Sequence, residues 1–168
     1  MCGRYLVTDA HGGKRDVFPS ETAAVYTAEG RMEMRWGFSL PGGGKRLMIN
    51  ARSESACSKP TFSGLLSLGR CLVPASAYYE WDAQKQPHLF ALAGEECLYM
   101  AGLYRREQDG TPHFVILTRA ADNVVSPVHT RMPCLFSSEE YRHLWLWNDN
   151  IAPLLLHAEN PVETWKIS

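Results

Sequence analysis

Cys2 occupies a position that gives it chemistry unavailable to the other cysteines. The sequence begins MCGRY, and removal of an initiator methionine before a small residue would leave Cys2 with a free amine beside its thiol. These two groups have ordinary pKa values of about 8 and about 8.5, so both are partly deprotonated near neutral pH. The amine can condense with an aldehyde to an imine, and the thiol can then close a five-membered thiazolidine ring. Cys2 is therefore a candidate nucleophile, although it could equally be an ordinary buried cysteine of an N-terminal strand.

A second candidate group is the motif NARSES (50–55), which follows the apolar residues LMI. Asn50 can orient a substrate oxygen. Arg52 can hold a phosphate in a two-pronged geometry that lysine lacks. The alternative is that Asn50 is a turn residue and that Arg52 and Glu54 form an ordinary surface ion pair.

The motif YYEW (78–81) places Glu80 between two aromatic residues in an apolar strand. Alternation along a strand puts Glu80 on one face and Tyr79 and Trp81 on the other. A carboxylate in apolar surroundings has a raised pKa, which suits a general acid or base. The alternative is a glutamate that faces solvent on a half-buried strand.

The motif VHTRMP (128–133) carries His129 and Arg131 one residue apart, so both side chains can point to the same side of an extended loop. Histidine can transfer protons near neutral pH, and Arg131 adds a second group suited to phosphate. His129 could instead be a hydrogen-bonded structural group. We interpret the remaining histidines as structural: His11, His88, His113, His143 and His157.

Apolar and β-branched segments separated by turn residues predict the elements that must position these side chains. The predicted strands cover 31–40, 70–81, 88–93, 98–106 and 113–120, with a hairpin at Asp109 and Gly110, and form a β-meander. The predicted helices cover 20–28, 61–68, 121–125 and 137–147, the last capped by Ser137 or Ser138, with Glu140 completing a capping box. The pattern predicts an α+β fold dominated by sheet, in one domain spanning 1–168.

Composition excludes several classes of protein. The net charge of −1 argues against a protein that coats nucleic acid through a broad basic face, so any such contact must be a local groove. No apolar run approaches the roughly 20 residues that span a bilayer, and the N-terminus lacks a secretory signal, so we expect an intracellular protein. The five cysteines are scattered without metal-ligand spacing, so we expect no metal or disulfide framework.

Several motifs in one order resemble the SOS-response-associated peptidase (SRAP) family. They are MCGR, RWGF (35–38), NARSES, RCLVPASAYYEW (70–81), FVILTRA (114–120) and HTRMP (129–133). The resemblance covers residues 1 to about 147. YYEW stands where FYEW is commoner in the family.

The resemblance implies a single domain with a β-rich pseudo-barrel and a few peripheral helices. It implies a catalytic group of Cys2, Asn50, Glu80 and His129, and a DNA groove lined by Arg4, Trp36, Arg52 and Arg131. It also implies covalent crosslinking to abasic sites in single-stranded DNA and at strand junctions, without a metal or cofactor. We expect a monomer with no membrane partner, cytoplasmic and nucleoid-associated in a bacterium or nuclear in a eukaryote.

Two other classes of function remain open. In a cysteine peptidase, Cys2 would be the nucleophile and His129 or Glu80 its base, acting on Met1 or on another chain. A DNA-binding module would shield single strands without chemistry. Replacing Cys2 distinguishes these functions, because shielding survives the replacement whereas the crosslink and the peptidase do not.

Overall fold

A computed structural model of the chain describes residues 2–42, 44, 46–150 and 152–156, and the backbone of 165–167. Met1 and His157 lie outside the described residues. The strands are β1 (Tyr5–Thr8), β2 (Lys14–Val17), β3 (Thr22–Thr27), β4 (Gly30–Trp36), β5 (Phe38–Ser39), β6 (Leu47–Met48), β7 (Asn50–Arg52), β8 (Arg70–Ala75), β9 (Ala77–Trp81), β10 (Pro87–Leu92), β11 (Leu98–Arg106), β12 (Pro112–Ala120), β13 (Arg131–Pro133) and β14 (Trp165–Ile167). The helices are α1 (Ser53–Ala56), α2 (Pro60–Ser63), α3 (Leu65–Leu68), α4 (Glu139–Trp147) and α5 (Ala152–Leu155).

Five strands close into a barrel. They are hydrogen-bonded in the order β11, β8, β3, β4 and β12, and β12 returns to β11. Strand β12 also pairs with β7 and β13, so two short strands extend the barrel beside it. The fold is therefore α+β, with the β-rich pseudo-barrel and few peripheral helices that we predicted.

A second sheet, in the order β14, β10, β9, β1 and β2, covers one side of the barrel. The chain passes from barrel to sheet at Ser76, whose N–H donates to the carbonyl of Leu6 at 2.7 Å. Because β8 and β9 lie in different sheets, the predicted continuous β-meander is wrong. Two antiparallel hairpins remain from it, β9 with β10 and β11 with β12.

The barrel strands bury both faces, so the core forms two clusters. In β12, Phe114 and Ile116 point into a cluster shared with the second sheet, whereas Val115 and Leu117 point into a cluster covered by the helices. This is the two-residue alternation expected for a strand covered on both sides.

Arg70 is a charged residue on the helical side of the barrel and is only 7% exposed. Its guanidinium donates to the carbonyls of Leu66 and Trp145, and to that of Leu146 at 3.2 Å. It also contacts a carboxylate oxygen of Asp149 at 2.6 Å. Arg70 thus joins the ends of α3 and α4 to the first residue of β8.

The predicted strands 88–93, 98–106 and 113–120 are confirmed, and the predicted strands 31–40 and 70–81 are each divided into two strands. Two predicted helices are wrong. Residues 22–27 form β3, because Ala23, Val25 and Thr27 alternate inward as a strand requires. Residues 121–125 form a turn in which the Asp122 carboxylate accepts the N–H groups of Val124 and Val125.

The other two helical predictions hold with corrections. The segment 61–68 corresponds to two short helices, α2 and α3. Ser138 caps α4 by accepting the N–H of Tyr141, so Tyr141 rather than Glu140 occupies the third helical position and no capping box with Glu140 forms.

Candidate functional site

The four residues that we predicted to be catalytic come from distant parts of the chain and meet in the structure. Asn50 Nδ2 donates to the main-chain carbonyl of Cys2 at 2.8 Å. His129 Nδ1 lies 3.8 Å from Glu80 Oε2. The charge of Glu80 acts on the Cys2 thiol, which connects the two pairs.

Strand β9 positions Glu80. Tyr78 and Glu80 point inward and are 0% and 1% exposed, whereas Tyr79 and Trp81 lie half-buried on the opposite face. The solvent-facing alternative for Glu80 is therefore wrong. Burial raises the pKa of the Glu80 carboxyl, and the nearby charge of His129 acts in the opposite direction. A carboxyl group with a raised pKa holds its proton to higher pH than an ordinary glutamate, which suits it to act as a general acid.

Cys2 is completely buried. Burial is the largest cause that raises the pKa of its thiol, and the negative charge of Glu80 raises that pKa further. The sulfur lies 3.8 Å from the carbonyl oxygen of Arg4. In this environment the thiol stays protonated, so a reaction at sulfur requires a group that accepts the proton.

Asn50 begins β7, which pairs in parallel with β12. One end of its amide holds the Cys2 carbonyl. The other end, Oδ1, is buried without a hydrogen-bond partner among the described residues. Because a buried carbonyl oxygen normally accepts a hydrogen bond, Oδ1 is suited to accept one from a bound molecule or from a new amine on Cys2.

His129 is held by the loop before β13. Its main-chain N–H donates to the carbonyl of Val125 at 2.9 Å. Its ring nitrogen Nδ1 lies 3.0 Å from both the main-chain N and the main-chain O of Arg131. The ring therefore has a fixed position beside Glu80, with 28% of the side chain exposed.

Arg131 pairs with Glu54 rather than leaving its guanidinium open. Two parallel contacts join the side chains, Nη1 to Oε1 at 2.5 Å and Nη2 to Oε2 at 2.9 Å. Nη2 also donates to the carbonyl of Thr118 at 2.6 Å. The hydrogen bond from Arg131 lowers the pKa of Glu54 to about 2. The geometry that we predicted for phosphate is thus taken by a carboxylate, and the alternative ion pair of Glu54 with Arg52 is wrong.

Arg52 differs from Arg131. Its side chain is exposed, and its guanidinium makes no hydrogen bond or ion pair within the described part of the chain. Arg52 remains available for a phosphate close to Asn50.

Trp36 and Arg4 do not form an open groove. Trp36 is 0% exposed, so the prediction that it lines a DNA groove is wrong. Its Nε1 donates to the carbonyl of Ile49 at 3.0 Å, so Trp36 holds the residue before Asn50. Arg4 is half-buried, is paired with Asp16 and lies 4.2 Å from the centre of the Tyr79 ring.

The turn after Trp36 requires glycine. Gly37 has a φ of 113°, which side chains rarely adopt, and a Cβ there would lie 2.9 Å from the Cβ of Leu47. The carbonyl of Gly37 also receives a contact from His113 Nδ1 at 2.6 Å. The RWGF motif therefore has a structural explanation.

Sequence reasoning missed Tyr5 and Tyr78. Both are 0% exposed and are paired across β1 and β9, where ionisation of Cys2 would raise the pKa of both phenols further. Burial is the largest cause that raises the pKa of each tyrosine. The position of Tyr78 two residues before Glu80, on the same strand face, is a signal that could have identified it.

No group of residues suited to a metal ion occurs within the described ranges. Across those same ranges, no helix is long and apolar enough to cross a membrane.

Comparisons with known proteins identify similar chains. Residues 7–168 match the family described as SOS response associated peptidase (SRAP). The abasic site processing protein YoqW of Bacillus subtilis is 31% identical over 138 residues, which cover 75% of this chain and 61% of YoqW. This chain thus corresponds to about three fifths of that relative. The abasic site processing protein YoaM of the same organism is 29% identical over 208 residues, covering 100% of this chain and 91% of YoaM.

The fold is also similar to solved structures. A crystal structure of a protein from Bordetella bronchiseptica superimposes with a TM-score of 0.82 at 23% identity, covering 99% of this chain and 98% of the other. At this identity the similarity establishes the shared fold.

Proposed function

Because the chain belongs to the SOS response associated peptidase (SRAP) family, we propose that it crosslinks to abasic sites in single-stranded DNA through Cys2 after Met1 is removed. The names of its relatives as abasic site processing proteins support abasic DNA as the substrate. The observation that carries the proposal is that the Cys2–Asn50 pair lies within electrostatic range of the Glu80–His129 pair. Strand junctions are further substrates under this proposal.

The first step is formation of an imine. The free amine of Cys2 attacks the C1′ aldehyde of the ring-opened abasic sugar, and the resulting carbinolamine loses water as the C=N bond forms. Protonated Glu80 gives its proton to the departing hydroxyl group, a role that its raised pKa supports. His129 transfers a proton at the sugar oxygen that opens the ring, and Asn50 Oδ1 orients the reacting centre.

The second step is closure of the thiazolidine. The Cys2 sulfur adds to C1′, and the π electrons of the C=N bond move to nitrogen. Since burial keeps the thiol protonated, the step needs a proton acceptor, and the carboxylate left on Glu80 is suited to that role. No metal or cofactor enters either step.

Arg52 supports the approach of the strand. It follows Asn50 by two residues and its guanidinium is open, so it can hold a phosphate next to the reacting sugar. A local contact of this kind agrees with a net charge of −1, because it does not need a basic surface.

The test uses protein shown by intact mass to lack Met1, incubated with a single-stranded oligonucleotide containing one abasic site. We expect a protein–DNA band that survives heat and denaturant, and none with undamaged DNA. Cys2→Ala should abolish this band and leave an imine that only borohydride traps. Cys57→Ala is the matched control, because Cys57 is exposed and lies outside the site.

Three outcomes would contradict the proposal. If the stable band disappears in Cys57→Ala, the nucleophile is Cys57 and not Cys2. Binding of DNA without any adduct would favour the shielding module. Cleavage of peptides that depends on Cys2, without an adduct, would favour the peptidase.

A further inference from the structure

Tyr5 carries a hydroxyl group inside the core of the protein. The residue is completely buried, and its ring packs against Trp36 with centroids 5.1 Å apart. The hydroxyl oxygen has no hydrogen-bond partner among the described residues. Phenylalanine would fill the same ring space without the cost of burying an unbonded hydroxyl. The hydroxyl is therefore suited to a partner that forms during the reaction.

The reacting sulfur is the candidate partner. Cys2, Tyr5 and Tyr78 belong to one buried cluster, in which Tyr5 and Tyr78 are directly opposite each other on paired strands. An ionised Cys2 would raise the pKa of both phenols further, so both hydroxyl groups lie within electrostatic range of the sulfur. Burial raises the pKa of both phenols, so they remain protonated and can donate.

A thiolate at this position needs such donors. Burial and the charge of Glu80 both oppose ionisation of Cys2. A hydrogen bond donated to the sulfur as its charge develops would offset part of that opposition, as donors do for developing charge at other active sites.

We propose that Tyr5 and Tyr78 are catalytic residues of thiazolidine closure, donating hydrogen bonds to the Cys2 sulfur as it attacks the imine carbon. This inference rests on the proposed function. The S–H proton passes to the Glu80 carboxylate, the sulfur pair forms the C–S bond, and the π pair of the protonated imine goes to nitrogen. The nitrogen ends as the neutral ring amine, and both phenols keep their protons.

Tyr5 and Tyr78 should therefore affect thiazolidine closure and leave imine formation unchanged. In Tyr5→Phe, imine trapped by borohydride should form at the wild-type rate. Ring closure, followed as adduct that is stable without borohydride, should slow about tenfold, the size expected for one hydrogen bond to a charged group. Tyr78→Phe should slow it in the same sense.

The experiment follows both products over time for wild type, Tyr5→Phe and Tyr78→Phe, all lacking Met1. Tyr26→Phe is the matched control, since Tyr26 is 39% exposed on β3 and lies outside the site. Urea denaturation measures the stability of each variant. The urea midpoint of Tyr5→Phe should equal or exceed that of wild type, because the variant loses only an unbonded buried hydroxyl. A purely structural role would lower that midpoint and slow both steps together.

The outcomes separate the two proposals. Absence of any adduct in wild type contradicts the proposed function. Normal adduct formation in wild type, with unchanged ring closure in both tyrosine variants, overturns the role of the tyrosines alone. If Tyr5→Phe fails to fold, the rate of ring closure in Tyr78→Phe decides the question.

Discussion

Glu80 and Arg70 are both ionisable side chains with almost no exposure, yet their surroundings differ in kind. Arg70, in the helical half of the core, donates to three main-chain carbonyls and a carboxylate. Glu80, in the other half, lies 3.8 Å from an imidazole and within electrostatic range of a thiol, two ionisable groups. Burial of an ionisable group is common to both, so burial alone does not identify a functional residue. The difference lies in whether the neighbours can change their own charge.

The largest expected effect is on the reaction at Glu80. Glu80→Gln keeps the shape of the side chain but removes the exchangeable proton, so adduct formation should slow roughly 100-fold to 10,000-fold. The rate is measured with the abasic oligonucleotide in protein lacking Met1. A rate within a few-fold of wild type would remove Glu80 from the mechanism.

The same variant should not lose stability. Because burial raises the pKa of Glu80 above its ordinary 4.5, the folded protein holds this proton more tightly than the unfolded chain does. That contribution to stability is complete below pH 4.5 and is lost as pH rises through the raised pKa. Glu80→Gln lacks this loss, so its free energy of unfolding at neutral pH should equal or exceed that of wild type. A large drop in the free energy of unfolding would indicate that Glu80 stabilises the fold, as Arg70 does.

The second effect is on the stability provided by Arg70. Arg70→Met leaves buried carbonyls without donors and should cost about 3–5 kcal/mol in the free energy of unfolding, measured by urea denaturation. Arg31→Met is the matched control and should cost less than about 1 kcal/mol, because that arginine is exposed. Folded Arg70→Met should form the adduct at nearly the wild-type rate. If Arg70→Met formed the adduct slowly but kept its free energy of unfolding, Arg70 would serve the reaction rather than the stability of the fold.

The smallest effect extends the comparison to surface arginines. In a Cys2→Ala background, Arg52→Ala should flatten the slope of log affinity against log salt by about 0.7, the contribution of one phosphate on a single strand. Arg131→Ala should change the slope less, because Glu54 already occupies that guanidinium. Affinity for undamaged single strands at several salt concentrations gives both values. Equal slopes for Arg52→Ala and the background would place the strand elsewhere.

Alternation of residue types predicted the long strands and placed Glu80 on the strand face opposite Tyr79 and Trp81. It could not show what covers a face. Trp36 points inward from β4, and only the second sheet determines that this face is core rather than groove. The segment of β3 contains two alanines that suit a helix, but its pairing with β4 and β8 outweighs that local preference.

The candidate site was likewise predictable from the sequence only in part. The motifs supplied Cys2, Asn50, Glu80 and His129 because each residue type suits its proposed chemistry. The pair of Glu54 with Arg131 joins residues 77 apart in sequence, so spacing gave no indication of it. The buried tyrosines were missed because an aromatic residue in an apolar strand is ordinarily core, and only the structure shows that they share a buried cluster with Cys2.

Strand β12 is bonded to four other strands, β11 and β13 along one edge and β4 and β7 along the other. Its main-chain N–H groups can reach solvent only if the barrel itself opens. Amide hydrogen exchange in the middle of β12 should therefore proceed through global unfolding, as one cooperative unit with the strands at both edges. We therefore expect slow opening in the strand that supports Asn50 on one side and the loop of His129 on the other.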